Sequence, residues 1–104
     1  MRESTQEWRI IMISRKVIVA DETGLHLRPA GILCKLACRY KCKIEFITDK
    51  GTFNAKSILN VLGACVQKDD EIELRCDGED EEQALNDIGN AIESGLGDDF
   101  KMSE

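Results

Sequence analysis

A chain of 104 residues, 42% of them hydrophobic, has material for one domain with its own core. Its net charge of −6 argues against nucleic acid as a partner, because binding a phosphate backbone needs a basic surface. The charge is uneven: residues 1–68 hold 12 Lys/Arg against 6 Asp/Glu, and residues 69–104 hold 2 against 14, which reads as a solvated helix face and tail.

Residues 1–11 are mostly polar, with Trp8 their largest apolar side chain, and read as a frayed N-terminal extension. The apolar run Ile10–Ile13 is too short for a signal-peptide core or a membrane span, so neither a targeting segment nor membrane insertion is expected. Ile13 to Ala20 reads as a strand with a β-branched centre at Val17-Ile18-Val19. Asp21-Glu22-Thr23-Gly24 then turns the chain into Leu25-His26-Leu27-Arg28-Pro29-Ala30, at the mouth of a helix expected from Arg28 to Tyr40. Ala30, Leu33, Leu36, Ala37 and Tyr40 form its buried stripe, with Lys35 and Arg39 opposite.

Lys43 to Thr48 alternates as a strand, Asp49-Lys50-Gly51 is a turn, and Gly51 to Asn54 returns as the second arm of a hairpin. Ser57 reads as the N-cap of a short helix from Ile58 to about Leu62, ended by Gly63. Ile58, Leu59, Val61 and Leu62 surround that helix almost completely, and a small domain cannot bury every side of it. Part of the helix is therefore expected to stand exposed as a partner-binding patch. Glu71 to Cys76 alternates with Ile72, Leu74 and Cys76 inward, and Asp77-Gly78 turns. Asp80 with Gln83 reads as a capping pair for a last helix, its buried stripe Leu85, Ile88, Ala91 and Ile92 and its stop Gly95. The order β-α-β-β-α-β-α, with a hairpin and alternating strands, is that of an α+β domain with an antiparallel sheet covered on one face by helices.

His26 is the only histidine. It falls at or beside a helix N-cap, where free N–H groups and the positive end of the helix dipole favour an anion. A neutral imidazole is a nucleophile and the guanidinium of Arg28 can fork onto phosphate oxygens. That combination suits a histidine that takes and hands on a phosphoryl group. The competing reading is a histidine that only caps the helix. Among the cysteines, Cys34, Cys38 and Cys42 are four residues apart, which is not the usual Cys-x-x-Cys spacing of a four-ligand site, so no metal is assigned. An odd count of five without an export signal points to reduced thiols and a cytoplasmic protein.

Gly24-Leu25-His26-Leu27-Arg28-Pro29-Ala30 resembles the active-site segment of the HPr family, the histidine-containing phosphocarriers of the phosphoenolpyruvate:sugar phosphotransferase system. Lys56-Ser57-Ile58, with its serine 31 positions after the histidine, resembles the family's regulatory serine segment, and the run Asp77 to Leu85 resembles its last turn and helix. The likeness runs from about Ile13 to Asp98, so residues 12–98 are read as an HPr-like domain and 99–104 as an acidic tail. The resemblance implies an open-faced β-sandwich, four antiparallel strands with three helices on one side. It also implies that His26 takes a phosphoryl group on Nδ1 from enzyme I and passes it to enzyme IIA, with Arg28 steadying the phosphate. No cofactor is implied, and the protein is read as a monomeric, stoichiometric carrier and not an enzyme. In one branch the serine matching Ser57 is phosphorylated by a dedicated kinase/phosphorylase. Leu27, Ile58, Leu59 and Leu62 are the candidate docking contacts, Leu27 standing where the family often has a smaller residue. Two other readings remain open here: a regulatory binding protein controlled through Ser57, and a plain structural domain.

Overall fold

A computed structural model describes residues 12–96. The proposed extension at 1–11 and tail at 99–104 lie outside the described residues. In chain order the elements are β1 (Met12–Ile18), α1 (Leu27–Ala37), β2 (Lys43–Thr48), β3 (Gly51–Asn54), α2 (Ile58–Gly63), β4 (Glu71–Asp77) and α3 (Glu81–Glu93). The sheet order is β1-β4-β2-β3, with every neighbouring pair antiparallel. This is the α+β open-faced sandwich expected.

The register explains why one face of the sheet is covered. Val17 lies opposite Ile72, Leu74 opposite Phe46, and Cys76 opposite Ile44, and all six are buried. With side chains alternating across a strand, these residues share one face, and the helices close over it. Phe46 stacks on Phe53 with ring centroids 5.5 Å apart, fixing the hairpin to the core. The other face carries Lys43, Glu45, Glu73 and Arg75, with Glu45 paired to Lys43 at 3.6 Å and to Arg75 at 3.9 Å. α3 lies on β1: Gly89 leaves room for the Arg15 guanidinium, which forks onto Asn90 Oδ1 at 3.3–3.4 Å and Glu93 Oε1 at 3.0 Å.

Several element ends differ from expectation. β1 stops at Ile18 because Val19 exchanges backbone bonds with the α2–β4 loop, donating to Asp70 O at 2.9 Å and accepting from Asp69 N at 2.7 Å. α1 stops at Ala37, not Tyr40: Arg39 and Tyr40 donate three residues back, to Leu36 O and Ala37 O, which tightens the last turn. The Tyr40 hydroxyl donates to Asp87 Oδ2, tying that turn to α3. Burial, then this bond, pushes the Tyr40 hydroxyl up to about 12.

The capping pair at α3 is also a correction. Asp80 is the N-cap but makes no side-chain bond to its own helix. Its carboxylate accepts from Lys41 N and Cys42 N, both at 2.9 Å, and so clamps the entry to β2. Gln83 is not its partner. Glu81 Oε1 accepts from Gly78 N at 2.9 Å instead. α2 likewise runs through Gly63 to a cap at Ala64, and the left-handed residue is Cys65 at φ +53°, not the glycine.

Candidate functional site

The loop before α1 is anchored from within and from below. Asp21 Oδ1 accepts from Thr23 N at 2.9 Å and from Thr23 Oγ1 at 2.8 Å, while Gly24 N donates to Asp21 O at 2.9 Å. Gly24 has φ +68° and lies directly on the α2–β4 connection: an added Cβ would stand 2.3 Å from Val66 O and 2.7 Å from Gln67 Cα. Leu25 is buried and donates to Val66 O at 2.9 Å. The chain is therefore held by two consecutive residues before it releases the exposed side chain of His26.

His26 is the N-cap of α1, with extended backbone at φ −83° and ψ −163°. Its carbonyl accepts the first helical bond from Ala30 N at 2.8 Å, and its Nδ1 accepts from Leu27 N at 2.8 Å. A ring nitrogen that accepts carries no proton, so the hydrogen of the neutral ring belongs on Nε2 and Nδ1 keeps a lone pair. Arg28 lies exposed in the first helical turn, and buried Pro29 has no N–H to satisfy. The buried stripe Pro29, Ala30, Leu33, Leu36 and Ala37 fixes this helix end to the core. A nucleophilic nitrogen thus stands at the positive end of an 11-residue helix whose first turn also carries Arg28. Such a set can bind a tetrahedral anion and bond to its central atom.

Beside His26 is a surface depression walled by Thr23, Leu25, Leu27, Leu62, Cys65 and Val66. Two of the four expected docking residues, Leu27 and Leu62, belong to it. The other two, Ile58 and Leu59, do not line the depression. They stand on α2 at 36% and 76% exposure, beside a fully buried Val61, so the helix does present an apolar surface. Leu27 is 66% exposed. Thr23, Cys65 and Val66 were missed from sequence. The Asp-x-Thr turn signal could have found Thr23, whereas Gly63 drew the left-handed position away from Cys65.

Ser57 caps α2 as expected, its Oγ accepting from Asn60 N and from Asn60 Nδ2, each at 3.3 Å. Lys56, just before it, reaches across with Nζ 2.7 Å from Tyr40 O and holds α2 against the end of α1. All five cysteines are free thiols. Cys42 and Cys76 are buried beside each other, and burial pushes them up to about 11 and about 12, which keeps them protonated and unreactive. Among the described residues no three His, Cys, Asp or Glu side chains converge as a metal site.

The family profile described as "PTS HPr component phosphorylation site" matches residues 13–94. The chain is 35% identical over 79 residues to the phosphocarrier protein HPr of Mycoplasma pneumoniae, covering 75% of this chain and 90% of that one. It is 36% identical over 77 residues to the HPr of Mycoplasma capricolum, covering 74% and 86%. The crystal structure of an HPr from Bacillus anthracis superposes with a TM-score of 0.76 at 30% identity, covering 78% of this chain and 96% of that one. With the family profile, the fold and the relatives in agreement, the chain belongs to the HPr family, the phosphocarriers of the phosphoenolpyruvate-dependent phosphotransferase system.

Proposed function

We propose that His26 is the residue that carries the phosphoryl group, on Nδ1, and that the donor is enzyme I and the acceptor an enzyme IIA domain. The observation that carries this reading is the bond from Leu27 N to Nδ1, which leaves the Nδ1 lone pair unprotonated at the mouth of α1. In the transfer the ring turns away from that amide. The lone pair bonds to phosphorus as the donor's N–P bond breaks, and the exposed Nε2 gives its proton to solvent. The Leu27 N–H, released from the ring, then donates to a phosphate oxygen. Arg28 and the helix terminus oppose the phosphate charge, so the protein's contribution is positioning and electrostatics. The same groups serve the return step, because the carrier must lose the phosphoryl group as readily as it gains it.

The carrier is consumed and regenerated one for one, so it acts as a substrate of its partners and not as an enzyme. A monomer that works in the cytoplasm suits a small domain in which no described helix is long and apolar enough to cross a membrane. Leu27 and Leu62 at the depression, with Ile58 and Leu59 on the adjoining helix, form the docking face. We assign Ser57 a regulatory role through phosphorylation by a serine kinase/phosphorylase: a phosphate there sits at a helix start and puts charge beside Ile58 and Leu59. The reading as a regulatory binding protein first and a carrier second is not favoured, since the relatives are phosphocarriers. The test is a chase. Protein charged by enzyme I and phosphoenolpyruvate, then isolated, is expected to lose its phosphate to an added enzyme IIA domain. A charged form that keeps its phosphate before every enzyme IIA domain tried would contradict the carrier cycle.

A further inference from the structure

Away from His26, Cys34 and Cys38 stand one turn apart at the C-terminal end of α1. Both thiols point at the same atom: Cys34 Sγ donates to Lys56 O at 3.2 Å, and Cys38 Sγ lies 3.9 Å from it. Cys34 is half-buried and Cys38 exposed. Thus two thiols converge on one point of the surface, with solvent on one side and a backbone carbonyl on the other.

The spacing decides what such a pair can do. Residues four apart on a helix have Cβ atoms about 5–6 Å apart. A disulfide needs them roughly 3.5–4.5 Å apart, so direct oxidation would unwind the end of α1. One ion between the sulfurs adds two metal–thiolate bonds of about 2.3 Å each and bridges the gap without moving the helix. Zinc wants four ligands, and among the described residues no third His, Cys, Asp or Glu completes a set. A soft monovalent ion that accepts two thiolates in a nearly linear arrangement fits, and copper(I) is that ion.

We propose that Cys34 and Cys38 form a two-coordinate copper(I) site on the C-terminal end of α1. Binding exchanges two thiol protons for one ion, with no change of oxidation state, and leaves a net charge of −1 on the bis-thiolate. Lys35 and Arg39, each the next residue along and both exposed, offset that charge. Because binding releases thiol protons, uptake strengthens as pH rises. The lost thiol protons also leave Lys56 O without these donors, and Lys56 leads directly into the Ser57 cap. The ion is therefore felt at the start of α2.

The test is an anaerobic titration of the reduced full chain with copper(I), buffered by bathocuproine disulfonate, with the thiolate-to-copper absorption in the near ultraviolet as a second readout. One equivalent is expected in the wild type and in C65S, with a shift of the Lys56 and Ser57 amide resonances. Loss of at least tenfold in affinity is expected in C34S, C38S and the double variant, while unchanged circular dichroism shows that the variants fold. Three results overturn the proposal: equal affinity in the double variant, loss in C65S instead, or half an equivalent bound by a dimer bridged between two copies.

Discussion

Gly24 packs on Val66 so closely that a Cβ on the glycine would stand 2.3 Å from the valine carbonyl oxygen. This approach, with the bond from Leu25 N to Val66 O, sets the height of the histidine loop over the α2–β4 connection. Gly24→Ala must both strain φ +68° and push that connection away. The left-handed backbone alone costs a non-glycine residue roughly 1–2 kcal/mol, and the clash adds to it. Thermal unfolding is expected to show a loss of about 2 kcal/mol or more, or roughly 8 °C in a domain of this size. Phosphoryl transfer should slow with it, because His26 is the second residue after the glycine. An alanine variant as stable and as active as the parent would show that the loop is not seated in this way.

Ser57 separates a structural from a regulatory effect. Ser57→Ala removes the acceptor of Asn60 N and is expected to cost about 1 kcal/mol of stability while leaving transfer to His26 intact. Ser57→Asp keeps a good N-cap, so the fold should hold. It adds a charge beside Ile58 and Leu59, and the KM for enzyme I should rise about tenfold or more, with little change in kcat. If the aspartate variant is phosphorylated as efficiently as wild type, Ser57 does not lie on the docking face.

Leu59 is 76% exposed and contributes little to the core. Leu59→Ser should change the melting temperature by less than a few degrees, since surface changes stay within about 0.5 kcal/mol. Its effect is expected in association with enzyme I, as a several-fold rise in KM, and a Leu27→Ser change should add to it. The measurement is steady-state transfer from enzyme I as a function of carrier concentration.

Asp80 links acid stability to the junction of α1 and β2. Bonds from the amides of Lys41 and Cys42 hold its carboxylate below its ordinary value of 3.8. A group whose folded value is depressed stabilises the fold above its unfolded value, and loses that contribution as pH falls through the folded one. Asp80→Ala should therefore be less stable than wild type at neutral pH. The gap should narrow below about pH 4, where the wild-type carboxylate takes up its proton. Denaturant unfolding of both proteins across pH 2–7 measures this. A gap that stays constant down to pH 2 would mean that the ionised form is not what the two amides stabilise.

Most of the architecture was legible because it rests on periodicity. Ile44 with Phe46, and Ile72 with Leu74 and Cys76, alternate in sequence and lie on one buried face. The place of His26 at a helix N-cap was legible because Pro29 and the helical stripe after it mark a helix start. The errors fall where a side chain prefers a distant backbone to its own helix. Asp80 with Gln83 three residues on looks like a capping box, yet the carboxylate serves amides nearly 40 residues earlier. No local pattern encodes that choice. Cys65 is a similar case, since a left-handed cap without glycine or asparagine gives no signal. Sheet order, too, depends on which strands meet after folding. The placement of β4 between β1 and β2 came from the structure.

The most direct test of His26 as the carrier is incubation with enzyme I and phosphoenolpyruvate, followed by intact mass and acid treatment, beside a His26→Ala control. The expected result is one added phosphate that acid removes and that the control never gains. A wild-type protein that stays unmodified with an enzyme I active on another carrier, or a control that gains the same acid-labile phosphate, would contradict the account.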